Sequence, residues 1–125
     1  MYTFKFSFLY FYSYIPLQCL MMLGFGQCYP TDIITSQKRT GVQVQGKTEW
    51  IVTITNNCSC PIKNLFLNCR NFQSIEPINP SILSIQGDLC LVNAGQPIYK
   101  DIIQFKYATD RIFLFYTKSF ELFCS

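Results

Sequence analysis

Histidine is absent from this 125-residue chain, and charged side chains are few. Without histidine, the chain has neither the usual general base at neutral pH nor the commonest metal ligand. Ten basic and seven acidic residues give a net charge of +3, too small to indicate a nucleic-acid or membrane-surface partner. No two carboxylates sit in a motif typical of an acid/base pair, although folding can bring distant ones together. We therefore predict one domain at most, with no enzymatic activity and no cofactor.

Zinc-type cysteine motifs are also missing, since no C-x-x-C pair occurs and a site without histidine would need four thiolates. Cysteine itself is abundant, with seven residues. Cys19 falls in the apolar N-terminal segment, and an even number remains beyond it. These predict three disulfides in an oxidising compartment, and no metal. The predicted disulfide residues are Cys28, Cys58, Cys60, Cys69, Cys90 and Cys124. The sequence does not choose among the pairings, except that Cys58 and Cys60 are too close to suit each other.

The N-terminal segment, residues 1–26, has the pattern of a signal peptide. Lys5 is its only charge, an apolar run follows, and small residues stand near Gly26. The alternative is an uncleaved membrane anchor, but Pro16 and the weak positive flank count against it. We predict cleavage near Gly26, leaving residues 27–125 as a secreted cysteine-rich domain in the extracellular space.

The clearest β-strand signal lies in the segment 48–69, where apolar and polar side chains alternate. Every second residue from Trp50 to Ile54 is apolar, which predicts one buried face. A second predicted strand ends at Cys69. Between the two, the segment 56–61 is rich in turn-forming residues. We interpret 48–69 as a β-hairpin with cysteines at its turn and at its end.

Shorter strands are predicted elsewhere, and no segment has a convincing helical pattern. A turn is expected at Thr40-Gly41, and the segment 81–85 fits either a short strand or one helical turn. The apolar run 112–116 predicts a strand buried on both faces. The fold class predicted is all-β: a small disulfide-linked β-sandwich or jelly-roll-like domain. The further strands expected are 32–37, 42–45, 89–92, 102–108 and 120–124.

Motifs along the whole of the predicted mature chain resemble those of the plant tapetum-determinant-like family of small secreted cysteine-rich proteins. The first group is Cys28, Asp32-Ile33, Gln37, Thr40-Gly41, Val44, Gly46-Lys47, Glu49-Trp50, Val52, Ile54 and Asn56-Asn57-Cys58-x-Cys60. The second is Leu67-x-Cys69, Phe72-Gln73-Ser74-x-Glu76-Pro77, Leu83, Cys90-Leu91-Val92-Asn93-x-Gly95-Gln96-Pro97-Ile98, Phe105-Lys106-Tyr107-Ala108 and Cys124-Ser125.

The resemblance implies a secreted, non-enzymatic ligand of a plant leucine-rich-repeat receptor kinase. The role implied is cell-fate specification, in the anther tapetum or elsewhere in reproductive development. The receptor-binding residues are unknown from the sequence. Candidate contacts are residues expected on loops, namely Arg70, Phe72, Lys100 and Asp101. No membrane association is expected after signal cleavage.

Two further interpretations stay open. The first is an extracellular module that binds wall polysaccharide, which would need exposed aromatic rings; Trp50 is the only tryptophan, and its pattern places it in the core. The second concerns Asn57, which opens an Asn-Cys-Ser glycosylation pattern. Because the middle residue is a predicted disulfide partner in a tight turn, we expect this acceptor to be poorly used.

Overall fold

The computed structural model describes residues 28–124, so the predicted signal peptide lies outside the described residues. Seven β-strands and two short 3-10 turns make up the described chain, and no α-helix occurs within it. The 3-10 turns are Pro30–Asp32 and Asn93–Gly95. The strands are β1 (Ile33–Val44), β2 (Lys47–Asn56), β3 (Ile62–Asn68), β4 (Leu83–Gln86), β5 (Leu89–Val92), β6 (Ile102–Thr109) and β7 (Tyr116–Leu122).

The strands form two antiparallel sheets around one core. The first sheet has the order β1-β2-β6 and the second the order β4-β5-β3-β7. Alternating apolar residues of both sheets enter the same buried cluster, among them Val52 and Ile54 from β2, and Leu65 and Leu67 from β3. The prediction of a small all-β, disulfide-linked domain is confirmed.

The first hairpin joins β1 to β2 through a two-residue turn. Gln45 and Gly46 have φ values of 50° and 81°, the positive values that a tight hairpin turn requires at both positions. The turn expected at Thr40-Gly41 is instead an irregularity inside β1, since the pairing with β2 shifts between Arg39 and Gln43. Gly41, with φ of +90°, absorbs this bulge, so the two strands predicted on either side are one continuous strand.

The predicted hairpin over 48–69 is wrong, because its two strands belong to different sheets. β2 pairs on one side with β1 and on the other with β6, while β3 pairs with β5 and β7. Each strand therefore has both edges occupied within its own sheet. Their apolar faces meet across the core rather than edge to edge. The cysteine-bearing segment between them crosses from one sheet to the other.

The segment 112–116 also differs from expectation, since only its last residue belongs to a strand. Phe113 and Phe115 turn inward, whereas Ile112, Leu114 and Tyr116 are 43%, 57% and 64% exposed. The segment runs beside β1, whose Gln37 side chain donates to the Phe113 carbonyl, so its other face meets solvent. Position at the margin of the sandwich explains why an apolar run is buried on one face only.

A left-handed turn follows β5 and fixes the segment before β6. Asn93, Ala94 and Gly95 all have positive φ, at 57°, 54° and 78°. Such values are uncommon outside glycine. Gly95 lies against Asn64, which itself has φ of 50° at an irregularity in β3. A Cβ atom at Gly95 would come within 2.8 Å of the Asn64 Oδ1 atom, so the turn leaves no room for a side chain there.

We predict that Gly95→Ala lowers the free energy of unfolding by about 2–3 kcal/mol, from left-handed strain together with overpacking against Asn64. Gly87→Ala is the matched control, because Gly87 has φ of +67° and a Cβ added there would meet no atom within 4 Å beyond its chain neighbours. It should cost only the backbone strain, about 1–2 kcal/mol. Urea unfolding with the disulfides intact measures both. Equal losses would contradict the close contact at Gly95.

Candidate functional site

The six described cysteines form three disulfides. Two of these bridges start from Cys58 and Cys60, which are not joined to each other. They close covalent loops with separations of 30 and 64 residues that meet at Ser59, and the third bridge lies inside the larger loop. In the chain-entropy picture each contributes about 3–4 kcal/mol to stability. The pairs are Cys28–Cys58, Cys60–Cys124 and Cys69–Cys90.

We call residues 57–61 the cysteine turn; it is held in place by the buried Asn56 side chain. The Asn56 amide nitrogen donates to the carbonyls of Cys60 and Ile98, each at 3.0 Å. Its Oδ1 accepts from the Cys58 N–H at 2.9 Å. These three hydrogen bonds replace those to water in a site where only 2% of the residue is exposed. The asparagine therefore fixes where the chain leaves the first sheet.

A small cavity of about 200 Å³ opens at the cysteine turn, between it and the segment before β6. Lys100 contributes to its wall, and its Nζ donates to the Cys58 carbonyl at 2.8 Å. Tyr99, beside it, is 52% exposed. The cavity thus combines a cation, a phenol ring and the rigid bridges of the turn.

The four sequence-predicted contact residues do not form one surface. Lys100 and Asp101 are exposed near the start of β3, where Ile62 pairs with Ile98. Arg70 is exposed just beyond the other end of β3. The sequence could not reveal this separation because it depends on how the sheets are ordered.

Phe72 is wrong as an exposed contact, since only 5% of it is exposed. Its ring packs edge-on against three other rings of the core, with centroids 5.3 Å from Tyr107 and 5.0 Å from each of Phe113 and Phe115. Tyr107 anchors this cluster, accepting from the Phe113 N–H at 2.8 Å, and burial raises the pKa of its phenol. The loop prediction is correct for the backbone of Phe72, but the side chain returns to the core.

Asn57 is exposed at the cysteine turn. Its backbone N–H donates to the Asp32 carbonyl at 2.9 Å. The following residue, Cys58, is 2% exposed and bridged to Cys28. The Asn57 side chain therefore reaches solvent, while the backbone of its Asn-Cys-Ser pattern is held rigidly in the folded protein.

Trp50 is partly buried and packs against the core cluster. The Arg39 guanidinium lies 5.5 Å from the ring centroid, a cation–π contact. The indole Nε1 is buried without a hydrogen-bond partner among the described residues. This placement agrees with the pattern-based prediction that Trp50 belongs to the core.

An exposed aromatic ring lies instead at a groove between β1 and β7. The groove has a volume of about 280 Å³, and Tyr116 forms part of its wall. Among the described residues, three threonines line it and no charged residue does. Tyr29, 61% exposed, precedes Pro30 at the same groove. The groove is lined by Pro30, Thr31, Ile33, Thr35, Phe115, Tyr116 and Thr117.

A pair of carboxyl groups that sequence reasoning did not identify lies at the central strand of the first sheet. Glu49 of β2 is only 6% exposed, and its Oε1 accepts from the Thr40 hydroxyl at 2.6 Å. Glu76, from the loop after β3, lies close enough to Glu49 for the two carboxyl groups to interact. The Glu76 Oε1 is buried and meets no donor from the described residues. Two carboxylates cannot both accept, so one shared proton is what this contact requires.

The pKa values of the pair are driven apart. Burial raises the pKa of Glu76, and the hydrogen bond to Glu49 and the negative charge of Glu49 raise it further. The Thr40 hydroxyl lowers the pKa of Glu49, as do the hydrogen bond to Glu76 and the nearby Lys106 charge. When the pair holds a single proton, that proton therefore resides mainly on Glu76, and Glu49 is the ionised member.

Two classes of site have no counterpart within residues 28–124. No group of three or more Cys, Asp or Glu side chains there is placed to hold a metal ion. In the same range, no helix has the length and apolar character needed to cross a membrane.

Comparison with known proteins gives one match. The family model described as "Tapetum determinant 1, C-terminal" matches residues 29–124, which is most of the chain. No curated protein matches, and no solved structure matches.

We predict a two-sided pH dependence of stability from the carboxyl pair. Because the folded pKa of Glu76 is raised, its contribution is present below the ordinary value of 4.5 and is lost as pH rises through the raised pKa. Because the folded pKa of Glu49 is lowered, its contribution is present above 4.5 and is lost as pH falls through the lowered pKa. Stability should therefore peak between the two.

The variant Glu76→Gln tests this, since an amide donates to Glu49 without needing a proton. Its unfolding free energy, relative to that of the wild type, should rise as pH increases above 4.5. Chemical unfolding at a series of pH values measures the difference. Glu121→Gln, at an exposed carboxylate bonded to Asn64, is the control and should follow the wild type. Parallel curves for wild type and Glu76→Gln would contradict the shared proton.

Proposed function

The chain belongs to the tapetum determinant 1 family, and on that premise we propose that it is a secreted, non-enzymatic signalling protein of plant reproductive development. Its partner, on this proposal, is the ectodomain of a leucine-rich-repeat receptor kinase. The observation that carries the proposal is the family match over residues 29–124. We further propose that residues 1–26 are a signal peptide and that the mature chain acts in the extracellular space.

The disulfide framework supports an extracellular binding role. Three bridges in a small two-sheet domain are typical of oxidising compartments. They also limit the conformational freedom that a ligand would lose on binding. Stacked leucine-rich repeats form extended curved surfaces, against which a rigid domain of this size can dock.

Two exposed regions offer the side chains that such docking uses. One is the cavity at the cysteine turn, with Tyr99, Lys100 and the neighbouring Asp101. The other is the margin of the sandwich, where Leu114 and Tyr116 are more than half exposed. Exposed aromatic and apolar groups are favoured as anchors in protein interfaces. Arg70 lies apart from the first region, so it is a weaker candidate for the same contact.

The burial of Glu49 supports a role without catalysis. Glu49 is almost fully buried, and the Oε1 atom of Glu76 is buried as well, although Glu76 borders an open groove. A general acid or base must approach the group with which it exchanges a proton. These two carboxyl groups instead face each other.

Binding of neutral wall polysaccharide is the second candidate, and one observation favours it. The groove beside Tyr116 combines an exposed ring with three threonines, and none of its described lining residues is charged. An aromatic face with neutral polar residues nearby suits an uncharged sugar ring. On this alternative the stacking ring is that of Tyr116, not that of Trp50.

The test is direct binding of the oxidised protein to leucine-rich-repeat receptor-kinase ectodomains, with immobilised neutral wall glycans in the same assay. We expect saturable receptor binding that disappears once the disulfides are reduced. Glycan binding without receptor binding would contradict the receptor proposal and support the alternative.

Two tyrosine variants then separate the exposed regions. If the partner that binds in this assay contacts the groove beside Tyr116, Tyr116→Ala should weaken its affinity by tenfold or more, about 1.4 kcal/mol. Tyr99→Ala should then leave that affinity unchanged. The reverse pattern would assign the contact to the cysteine turn. Both tyrosines are largely exposed, so neither variant should disturb the core.

We propose that Asn57 is glycosylated in only a minor fraction of molecules, because its sequence pattern contains the bridged Cys58. The intact mass of the protein produced from the full chain, with and without glycosidase, measures this fraction. Asn57→Gln provides the unglycosylated reference mass. Full occupancy would mean that glycosylation precedes closure of the Cys28–Cys58 bridge.

A further inference from the structure

The segment 73–77, here called the strap, crosses the free edge of β6. β6 pairs only with β2, so the opposite edge of its backbone needs partners from elsewhere. The strap supplies them at Ala108. The Ala108 N–H donates to the Ser74 hydroxyl oxygen at 3.0 Å, and the Ile75 N–H donates to the Ala108 carbonyl at 3.1 Å.

Open grooves border the strap on both sides. One, of about 400 Å³, lies between the strap and β4, and Ser74, Glu76 and Pro77 contribute to its wall. The other, of about 280 Å³, lies towards the end of β6, with Ser74 and Ile75 in its wall. Ser74 therefore borders solvent-accessible space on both sides. The strap is not packed into the core along its length, so its position depends on a few polar contacts.

The carboxyl pair is one of those contacts. Glu49 lies directly opposite Ala108 in the register of β2 and β6. Glu76, on the strap, comes close enough to Glu49 for the two carboxyl groups to interact, and its Oε1 is buried without a donor among the described residues. The Ser74 hydroxyl also donates to the Glu76 carbonyl at 2.7 Å. The residue that contacts Ala108 is therefore hydrogen-bonded to the residue that lies beside Glu49. The strap thus contacts Ala108 through the Ile75 N–H and the Ser74 hydroxyl, and Glu49 through the Glu76 carboxyl group.

We propose that the Glu49–Glu76 pair is a proton-dependent clasp that holds the strap on the edge of β6. With one proton between them, Glu76 donates to ionised Glu49 and the strap is closed. When that proton passes to water, two negative carboxylates are left side by side, one of them the almost fully buried Glu49, and their repulsion favours release of the strap. Release leaves the N–H and carbonyl of Ala108 without their partners on the strap.

Few other charges bear on the clasp. Lys106 of β6 is the nearby cation, and it partly offsets the negative charge of the ionised pair. β1 contributes the neutral Thr40 hydroxyl. The groove on the β4 side has no other charged residue in its lining. On the opposite side, Lys47 and Asp110 are paired with each other at 2.8 Å.

The proposal stands on the fold and does not depend on the receptor function. Its test is amide hydrogen exchange, followed by NMR, at Ile75 and Ala108 in the oxidised protein produced from the full chain. After correction for intrinsic exchange rates, protection of both amides should fall as pH rises from about 4 to about 8. The expected fall is about tenfold for each unit by which closing raises the pKa of Glu76.

Glu76→Gln should remove this loss of protection, since its amide donates to Glu49 at every pH in the range. Glu49→Gln is the second variant, because an amide at that position donates to Glu76 instead. Glu121→Gln is the control and should keep the wild-type profile. Equal pH profiles in wild type and in both clasp variants would overturn the proposal. So would constant protection of Ile75 and Ala108 in a wild type whose Glu76 titrates.

Discussion

The connection between β2 and β3 is the constraint on which the rest of the structure depends. At this point the chain leaves one sheet and enters the other, and both long-range bridges start here. A backbone that is buried where it crosses from one sheet to the other must still form hydrogen bonds with its N–H and carbonyl groups. Asn56 does this with three hydrogen bonds from a single side chain. The faces of β2 and β3 can then meet across the core because their connection is held at a fixed geometry.

Local patterns are sufficient to predict most strands but not their partners. The alternation from Trp50 to Ile54, and the same alternation in β6, reflect a single buried face, a property of the strand alone. Pairing depends on where distant strands lie, and adjacency in sequence suggests a hairpin that does not exist. The prediction for the segment 112–116 is wrong for a related reason: its apolar composition does not reveal that one of its faces lies at the margin of the sandwich.

The candidate sites also include some features that the sequence predicts and others that depend on the folded arrangement. Cysteine number predicts a three-bridge domain, whereas the pairing requires the folded topology. The Glu49–Glu76 contact joins a strand to a loop and has no motif in the sequence. The outward position of Glu49 in β2, opposite to that of Val52 and Ile54, would ordinarily indicate a solvated side chain. In the folded protein Glu49 is nevertheless buried, with Thr40 of β1 and Glu76 of the strap beside it.

The two terminal bridges also determine how the domain would respond to mechanical load. A force applied between Cys28 and Cys124 has a short covalent route: through one disulfide to Cys58, across Ser59 to Cys60, and out through the second disulfide. None of that tension crosses the hydrogen-bonded ladders of either sheet. A protein anchored by one end and pulled at the other would keep both sheets folded for as long as the bridges remain oxidised.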